Sequence, residues 1–272
     1  MNYRHAFHAG NFADCMKHSL LVWLLRAMAR KPAGYCVLDT HAGIGRYDLT
    51  AGPAARTGEW QSGIGLLLET PQPALADYIG LVRTLGLYPG SPAIARALQR
   101  PQDRLICCEL HEEDAATLRL NFARDPQVSV HRRDAWEALT ALLPPKERRS
   151  IILIDPPYER SDEFAQLTSA LHAGWMKFRA GVFVAWYPIK HRAPVRDFHA
   201  SLLASGIRDV VAAELLLREP LDPARLNGCG LIVVNPPFGF MDAAPDILRA
   251  LLDRLAPDAV GAGFVMLRLA DE

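Results

Sequence analysis

The run Ile151-Ile152-Leu153-Ile154-Asp155-Pro156-Pro157-Tyr158 constrains the fold more than any other stretch of the chain. Four consecutive apolar, mostly β-branched residues describe a short strand buried on both faces, as in a parallel sheet covered by helices. Asp155 stands where that strand ends. The two prolines can neither donate to a sheet ladder nor continue a helix, so the backbone leaves the sheet as a stiff turn. That turn presents a carboxylate, backbone carbonyls and an aromatic ring at the carboxyl edge of the sheet, where ligands bind in open α/β folds. The plainer reading is a strand followed by a proline-rich loop in which Tyr158 only packs.

The rest of the pattern supports an α/β chain. A helix is expected over 11–30, with Met16, Leu20, Trp23, Leu24 and Ala27 on one face, stopped by Lys31-Pro32-Ala33-Gly34. Residues 35–39 read as a strand and 40–45 as the turn after it. Residues 47–103 fit the alternation less well. Within them 73–86 and 92–100 look helical on either side of Tyr88-Pro89-Gly90-Ser91-Pro92, a small helical insertion. Alternation resumes with strands at 105–109, 128–131, 151–155 and 181–186 and helices at 113–124, 134–143, 162–178 and 193–205. Strands at 208–217 and 230–235 follow with no clear helix between them, which suggests an antiparallel edge. A helix near 244–255 and a strand near 263–269 close the chain. Alternating strands and helices imply right-handed crossovers and a mostly parallel, Rossmann-like sheet. The expected organisation is one body from 1–46 and 104–272, with 47–103 as an inserted helical subdomain.

Composition narrows the partners. The 272 residues carry 30 basic and 30 acidic side chains, so any nucleic-acid surface has to be a local patch rather than a property of the whole chain. Candidate phosphate contacts are Arg132-Arg133, Lys146 to Arg149 and Lys190 to Arg196, each of which could equally be a solvated face. Cys15, Cys36, Cys107, Cys108 and Cys229 are odd in number and contain no C-x-x-C pair, which points to reduced thiols rather than disulfides or zinc. With no apolar leader at the N-terminus and no stretch of membrane-spanning length, a cytoplasmic location is expected. His5, His8, Asp14 and His18 match no zinc spacing, and no metal is expected there.

Acids recur after the strands. Asp39-Thr40-His41-Ala42-Gly43-Ile44-Gly45 follows the first, and its glycines allow close approach of a cofactor. The third glycine of the dinucleotide fingerprint is absent, which counts against a nicotinamide cofactor. Glu109 ends the next strand of the regular pattern, where an acid can accept from both ribose hydroxyls; the spacing from the glycine turn is long, as the insertion would make it. Asp134-Ala135 follows the third, where the acid can accept from an adenine amino group or cap a helix. Asp155 follows the fourth. Asp39, Glu109, Asp134 and Asp155 therefore converge on one crevice. Asn235-Pro236-Pro237-Phe238 is a near copy of the 155–158 motif, but it comes after at least six strands and reads as a structural strand end or a substrate-side loop.

Asp-Pro-Pro-Tyr is also a signature of enzymes that methylate exocyclic amino groups. The opening Tyr3-Arg-His-Ala-Phe-His-Ala-Gly-Asn-Phe-Ala-Asp-Cys-Met-Lys-His18 resembles the N-terminal motif of the RlmJ family of 23S rRNA adenine-N6 methyltransferases. Similar matches are Leu38 to Tyr47, Arg56-Thr-Gly-Glu59, Tyr88 to Pro92, Ile152 to Tyr158, Trp186-Tyr-Pro188 and Asn235-Pro-Pro. The resemblance implies a class I S-adenosylmethionine methyltransferase sheet with a small helical insertion after its first strand. It implies as substrate the adenine at position 2030 of 23S rRNA, methylated once on N6. It also implies that Asp155 is catalytic, that Tyr3 meets the substrate base, and that His18, His41, Ser91, Glu109, Asp134 and Ala135 line the cofactor site. Where the family has Asp-Gly this chain has Asp134-Ala135, a change that a backbone contact survives; Phe12 and Cys15 also depart from the family pattern.

Chemistry gives Pro156 and Tyr158 roles as well. The adenine amino lone pair is delocalised into the ring, so the Asp155 carboxylate and the Pro156 carbonyl would accept its hydrogens while Tyr158 stacks on the base. The expected enzyme is a monomer acting on 23S rRNA, free or in an assembly intermediate. Two alternatives share the fold: a DNA adenine-N6 methyltransferase, and a nucleic-acid-binding protein without catalysis.

Overall fold

The computed structural model describes residues 4–70 and 72–272, so Tyr3 and the contact expected of it lie outside the described residues. Helix α1 (Phe12–Ala29) leads into β1 (Cys36–Asp39). There follow β2 (Arg46–Tyr47), α2 (Gly52–Thr57), α3 (Ile64–Glu69), α4 (Ala76–Leu85), β3 (Tyr88–Pro89) and α5 (Ser91–Leu98). The regular part continues as β4 (Arg104–Glu109), α6 (Glu112–Asn121), β5 (Val128–Arg132), α7 (Ala135–Ala141), β6 (Ser150–Ile154), α8 (Glu163–Lys177) and β7 (Val182–Ile189). It ends with α9 (Arg192–Ala204), β8 (Val210–Leu216), β9 (Gly228–Val234), α10 (Phe240–Leu255) and β10 (Gly263–Ala270).

Eight strands form one sheet in the order β10-β8-β9-β7-β6-β1-β4-β5. The pairs from β5 through β7 are parallel; β9 runs antiparallel to both neighbours, and β10 antiparallel to β8. The α/β fold with a mostly parallel sheet is the expected class. Strands β8 and β9 pair antiparallel as expected, but they do not make an edge: β9 inserts between β7 and β8, and β10 takes the edge. Burial explains the choice. Every residue of β9 is buried, whereas β10 is only partly covered along its length. An all-apolar strand is placed best where both ladders and both faces are filled, and the less apolar one tolerates the open side. Gly230 is required in β9 because a Cβ there would meet Tyr187 Cζ at 2.1 Å.

Strand β6 shows how the core is divided. Ile151 and Leu153 point to the face covered by α1 and α10, Ile152 and Ile154 to the face covered by α7, α8 and α9, and all four are fully buried. Each such side chain contributes about 1.5–3 kcal/mol. Helix α1 starts at Asn11, whose side chain accepts from Asp14 N–H at 3.0 Å. It is buried on almost every side rather than along the one stripe expected, because α4, α5, α10 and β9 all pack on it. Polar residues on α1 are therefore enclosed with the apolar ones. Among the described residues no helix is long and apolar enough to cross a membrane.

Since β9 is antiparallel, Asn235-Pro-Pro-Phe238 leaves the sheet at the amino edge of the parallel strands, opposite Asp155. The substrate-side alternative for this motif is thereby overturned, and it is a structural strand end. Asn235 adopts a left-handed φ of 53°, and its Nδ2 donates to the carbonyls of Arg179 at 2.8 Å and Gly181 at 2.7 Å. Asn235→Ala removes both bonds from a strained position and should lower unfolding free energy by about 2 kcal/mol. The midpoint of denaturant unfolding measures this, with activity per folded molecule unchanged. A loss of activity at unaltered stability would contradict the placement.

Candidate active site

At the carboxyl edge, the segments that follow β1, β4, β5 and β6 surround a cavity of about 810 Å³. The turn after β1 uses left-handed backbone at Gly43 (φ 57°) and Gly45 (φ 81°). A Cβ on Gly43 would lie 2.3 Å from Tyr47 Oη, so the turn closes only with glycine there. Glu109, at the end of β4, accepts from Gly43 N–H at 2.9 Å and from His111 N–H at 2.8 Å, one bond to each oxygen. Burial nevertheless raises its pKa, despite these two donors.

Asp39 ends β1 almost wholly buried, accepts from Ser91 Oγ at 2.6 Å and His41 N–H at 3.2 Å, and is pushed by burial to about 6. Asp134 caps α7, taking Trp136 N–H at 2.9 Å and Glu137 N–H at 3.2 Å on the same oxygen, Oδ1. His41 sits beneath the edge of Trp136, with ring centroids 6.0 Å apart, and burial lowers it to about 4.

Asp155 is anchored from two sides. Its backbone N–H points at His41 Nδ1 at 3.2 Å, and its Oδ2 receives the Lys17 ammonium at 2.5 Å. Lys17 also contacts Asp14 Oδ1 at 3.0 Å. Asp14 in turn holds His5 Nε2 at 3.0 Å and Gly10 N–H at 2.9 Å. Burial alone would raise Asp14, but His5, Lys17 and His18 together hold it well below the usual carboxylate range. Burial alone would lower Lys17, but Asp14 and Asp155 hold it well above its ordinary value. His18, with Nδ1 3.0 Å from the Tyr88 hydroxyl, is lowered by burial to about 3.

Of the residues singled out in the sequence, His18, His41, Ser91, Glu109, Asp134, Ala135 and Asp155 all line this one cavity. Pro156 is buried behind the turn and Pro157 reaches the lining. Tyr158, also left-handed at φ 53°, lies beside the cavity: its hydroxyl donates to the Trp186 carbonyl at 3.1 Å and its ring packs 5.0 Å from Phe164. Arg4 ties the N-terminal segment to α6 through Glu113 at 2.6 Å and Asp114 at 3.2 Å, bringing His5 to the cavity wall. The Lys17 bridge to Asp155 is not legible in the sequence. Its only signal is that Asp14, Lys17 and His18 share one helix face at i, i+3 and i+4. His8 turns away to Glu59 at 2.9 Å, and among the described residues no cluster of three His, Cys, Asp or Glu could hold a metal.

Residues 32–266 match the sequence profile of a family described as Ribosomal RNA large subunit methyltransferase D, RlmJ. The chain is 38% identical over 271 residues to Ribosomal RNA large subunit methyltransferase J of Haemophilus influenzae, covering 96% of each protein. It is 38% identical over 269 residues to the protein of the same name from Escherichia coli, again covering 96% of each. A crystal structure from Legionella pneumophila superposes with a TM-score of 0.88 at 33% identity, over 96% of this chain and 98% of that one. A probable spermidine synthase from Corynebacterium glutamicum shares the fold alone, with a TM-score of 0.50 at 16% identity over 92% of this chain and 74% of that one. On the extent of the profile match and of these identities, the chain belongs to the RlmJ family of ribosomal RNA large subunit methyltransferases.

Proposed function

We propose that this protein transfers one methyl group from S-adenosylmethionine to N6 of an adenine in 23S rRNA, the adenine at position 2030, with Asp155 as the catalytic residue. The observation that carries the reading is the place of Asp155, on a proline-stiffened turn at the carboxyl edge and on the wall of an acid-lined cavity. Family membership supports the ribosomal RNA acceptor.

The cavity suits the cofactor. Glu109 has each oxygen fixed by one backbone N–H, which leaves lone pairs on both for the two ribose hydroxyls. Asp134 spends one oxygen on its helix and keeps Oδ2 for an amino group, beside Ala135 and the Trp136 ring. His18, His41 and Ser91 complete the wall toward Asp155. When bound, the cofactor supplies an electrophilic methyl carbon on a sulfonium sulfur.

The acceptor side follows from Asp155. Lys17 occupies Oδ2 and leaves Oδ1 for an amino hydrogen; the Pro156 carbonyl is assigned the second hydrogen and Tyr158 the stacking contact with the base. Accepting both hydrogens returns electron density to nitrogen. Once methylated, N6 is cationic and its proton is acidic enough to pass to Asp155 Oδ1 or to water, so no strong base is required. N6 is out of reach inside a duplex, so the adenosine is bound unpaired or flipped. Tyr3 is assigned to the same base. The enzyme acts as a monomer in the cytoplasm, on free 23S rRNA or an assembly intermediate, with residues 47–103 as a helical insertion in the methyltransferase body.

Asp155→Ala should reduce turnover by at least about 10³-fold while cofactor affinity, measured by calorimetry, changes by less than about threefold. Retained turnover would overturn the catalytic assignment. Glu109→Gln should instead weaken cofactor binding by about tenfold or more, because a ribose-binding carboxylate loses charge.

Burial keeps His18 and His41 neutral, near 3 and 4. In the unfolded chain both protonate below about 6.5, so the unfolded state binds more protons and stability falls as pH drops from there toward the folded values. Each contributes up to about 1.4 kcal/mol per pH unit. Their ring resonances should show no titration between about pH 5.5 and 8; a midpoint near 6.5 for either would contradict its enclosure.

A further inference from the structure

Asp155 divides the carboxyl edge in two. On one side lie β1, β4 and β5 with the acid-lined cavity; on the other lie β7, β9 and β8. Ile154 is level with Ala185, yet β7 continues to Ile189, paired with Gly228 and through it with Leu216 of β8. This second half of the sheet therefore rises beyond Asp155 by about three residues, roughly 10 Å. Two segments crown it: the turn 190–191 between β7 and α9, and the loop 217–227 between β8 and β9.

The two segments are locked together. Asn227 is buried, donates from its backbone N–H to the Ile189 carbonyl, and donates from Nδ2 to the carbonyls of Lys190 at 2.8 Å and Asp222 at 2.7 Å. Arg192 is held down by the buried Glu214 at 2.5 Å, which also accepts from Tyr187 Oη at 2.9 Å. Arg218 donates to the Leu226 carbonyl at 3.1 Å. The crown is thus a rigid shelf and not a loose pair of loops.

Its charge is unusual for this edge. Several cations around the cavity are neutralised: Arg4 by Glu113 and Asp114, Arg160 by Asp162, Arg132 by Glu112. Lys190, Arg218 and Arg225 form no ion pair among the described residues. Burial lowers the Arg218 pKa, and Arg225 lies close enough to lower it further. The loop also carries two exposed acids, Glu219 and Asp222, which form no ion pair with these three cations among the described residues. Asp222 accepts Ala224 N–H at 2.9 Å, and Glu219 packs against Gly261. Two guanidinium groups and an ammonium carried on a fixed backbone, none of them in an ion pair among the described residues, suit an anionic backbone.

Resting on the ribosomal RNA acceptor proposed above, we infer that Lys190, Arg218 and Arg225 form the shelf that grips the RNA phosphates flanking the target adenosine. The acceptor strand then enters over β7, past Tyr158, while the cavity under β1 and β4 is left to the cofactor. Among the basic clusters singled out in the sequence, Lys146 to Arg149 precede β6 and so lie at the amino edge. There Arg149 is occupied by the carbonyls of Met28 and Ala33.

The test compares two variants of the full chain. Lys190→Gln/Arg218→Gln/Arg225→Gln removes the shelf; Lys146→Gln/Arg148→Gln removes exposed charge from the opposite edge. With a 23S rRNA fragment as methyl acceptor, the shelf variant should raise KM about tenfold at physiological salt with kcat within about twofold. Its slope of log Kd for RNA against log salt should shrink by about 2, as three single-strand phosphate contacts require. Cofactor Kd should match wild type, and the thermal midpoint should fall by no more than the few degrees that loss of the Arg218 bond to the Leu226 carbonyl requires. Lys190→Glu alone, at an exposed side chain, should leave the midpoint unchanged and give a smaller change in RNA binding of the same kind. Unchanged RNA affinity and slope in the shelf variant, or an equal loss in the amino-edge variant, would overturn the shelf while leaving methyl transfer by wild type intact. Absence of rRNA methylation by wild type would remove the acceptor reading itself and the shelf with it.

Discussion

A buried ammonium between two carboxylates holds the site together. Lys17 spans Asp14 on its own helix and Asp155 at the end of β6. Taking Lys17 and Asp14 out of water is tolerated only because each has close partners, and leaving either of these two buried charges unpaired costs about 3–5 kcal/mol. The same set explains why the opening segment folds as it does. Asp14 accepts Gly10 N–H and His5 Nε2 while its own N–H is capped by Asn11, so residues 5–14 coil around a single carboxylate. Helix α1 is buried on nearly all sides, which places these charges beside the strand end and keeps them out of water.

The sheet then sorts chemistry by side. The turns after parallel strands β1, β4 and β5 bring His41, Glu109 and Asp134 to one cavity, whereas Asp39, expected there too, is buried behind the wall and accepts from Ser91. The half built on β7, β9 and β8 continues upward because an antiparallel strand fills the gap between two parallel ones and lengthens both ladders. A fixed wall beside Asp155 follows from topology alone. Tyr158 leans on that wall through the Trp186 carbonyl, so the turn that carries Asp155 is braced from the β7 side as well as by Lys17.

Much of this is legible in the sequence where the determinants are local. The strand and stop of Ile151 to Tyr158, the glycine turn at 43–45, the Asp134 cap and the acids after successive parallel strands all follow from residues close in the chain. The position of β9 does not. The apolar runs at 208–217 and 230–235 cannot say which of the late strands is enclosed, because only the pairing partners decide it; complete burial of Gly228 to Val234 is the deciding property. For the same reason Asn235-Pro-Pro looks like a second copy of the Asp155 turn until strand direction puts it on the opposite edge. The Lys17–Asp155 bridge joins residues 138 apart, and no short-range pattern reports such a contact.

The most direct measurement is transfer of labelled methyl from S-adenosylmethionine to protein-free 23S rRNA from cells lacking this gene, followed by mapping of the modified nucleotide. A single N6-methyladenosine at position 2030 is the predicted result. No incorporation into rRNA by a protein that still binds the cofactor would contradict the account.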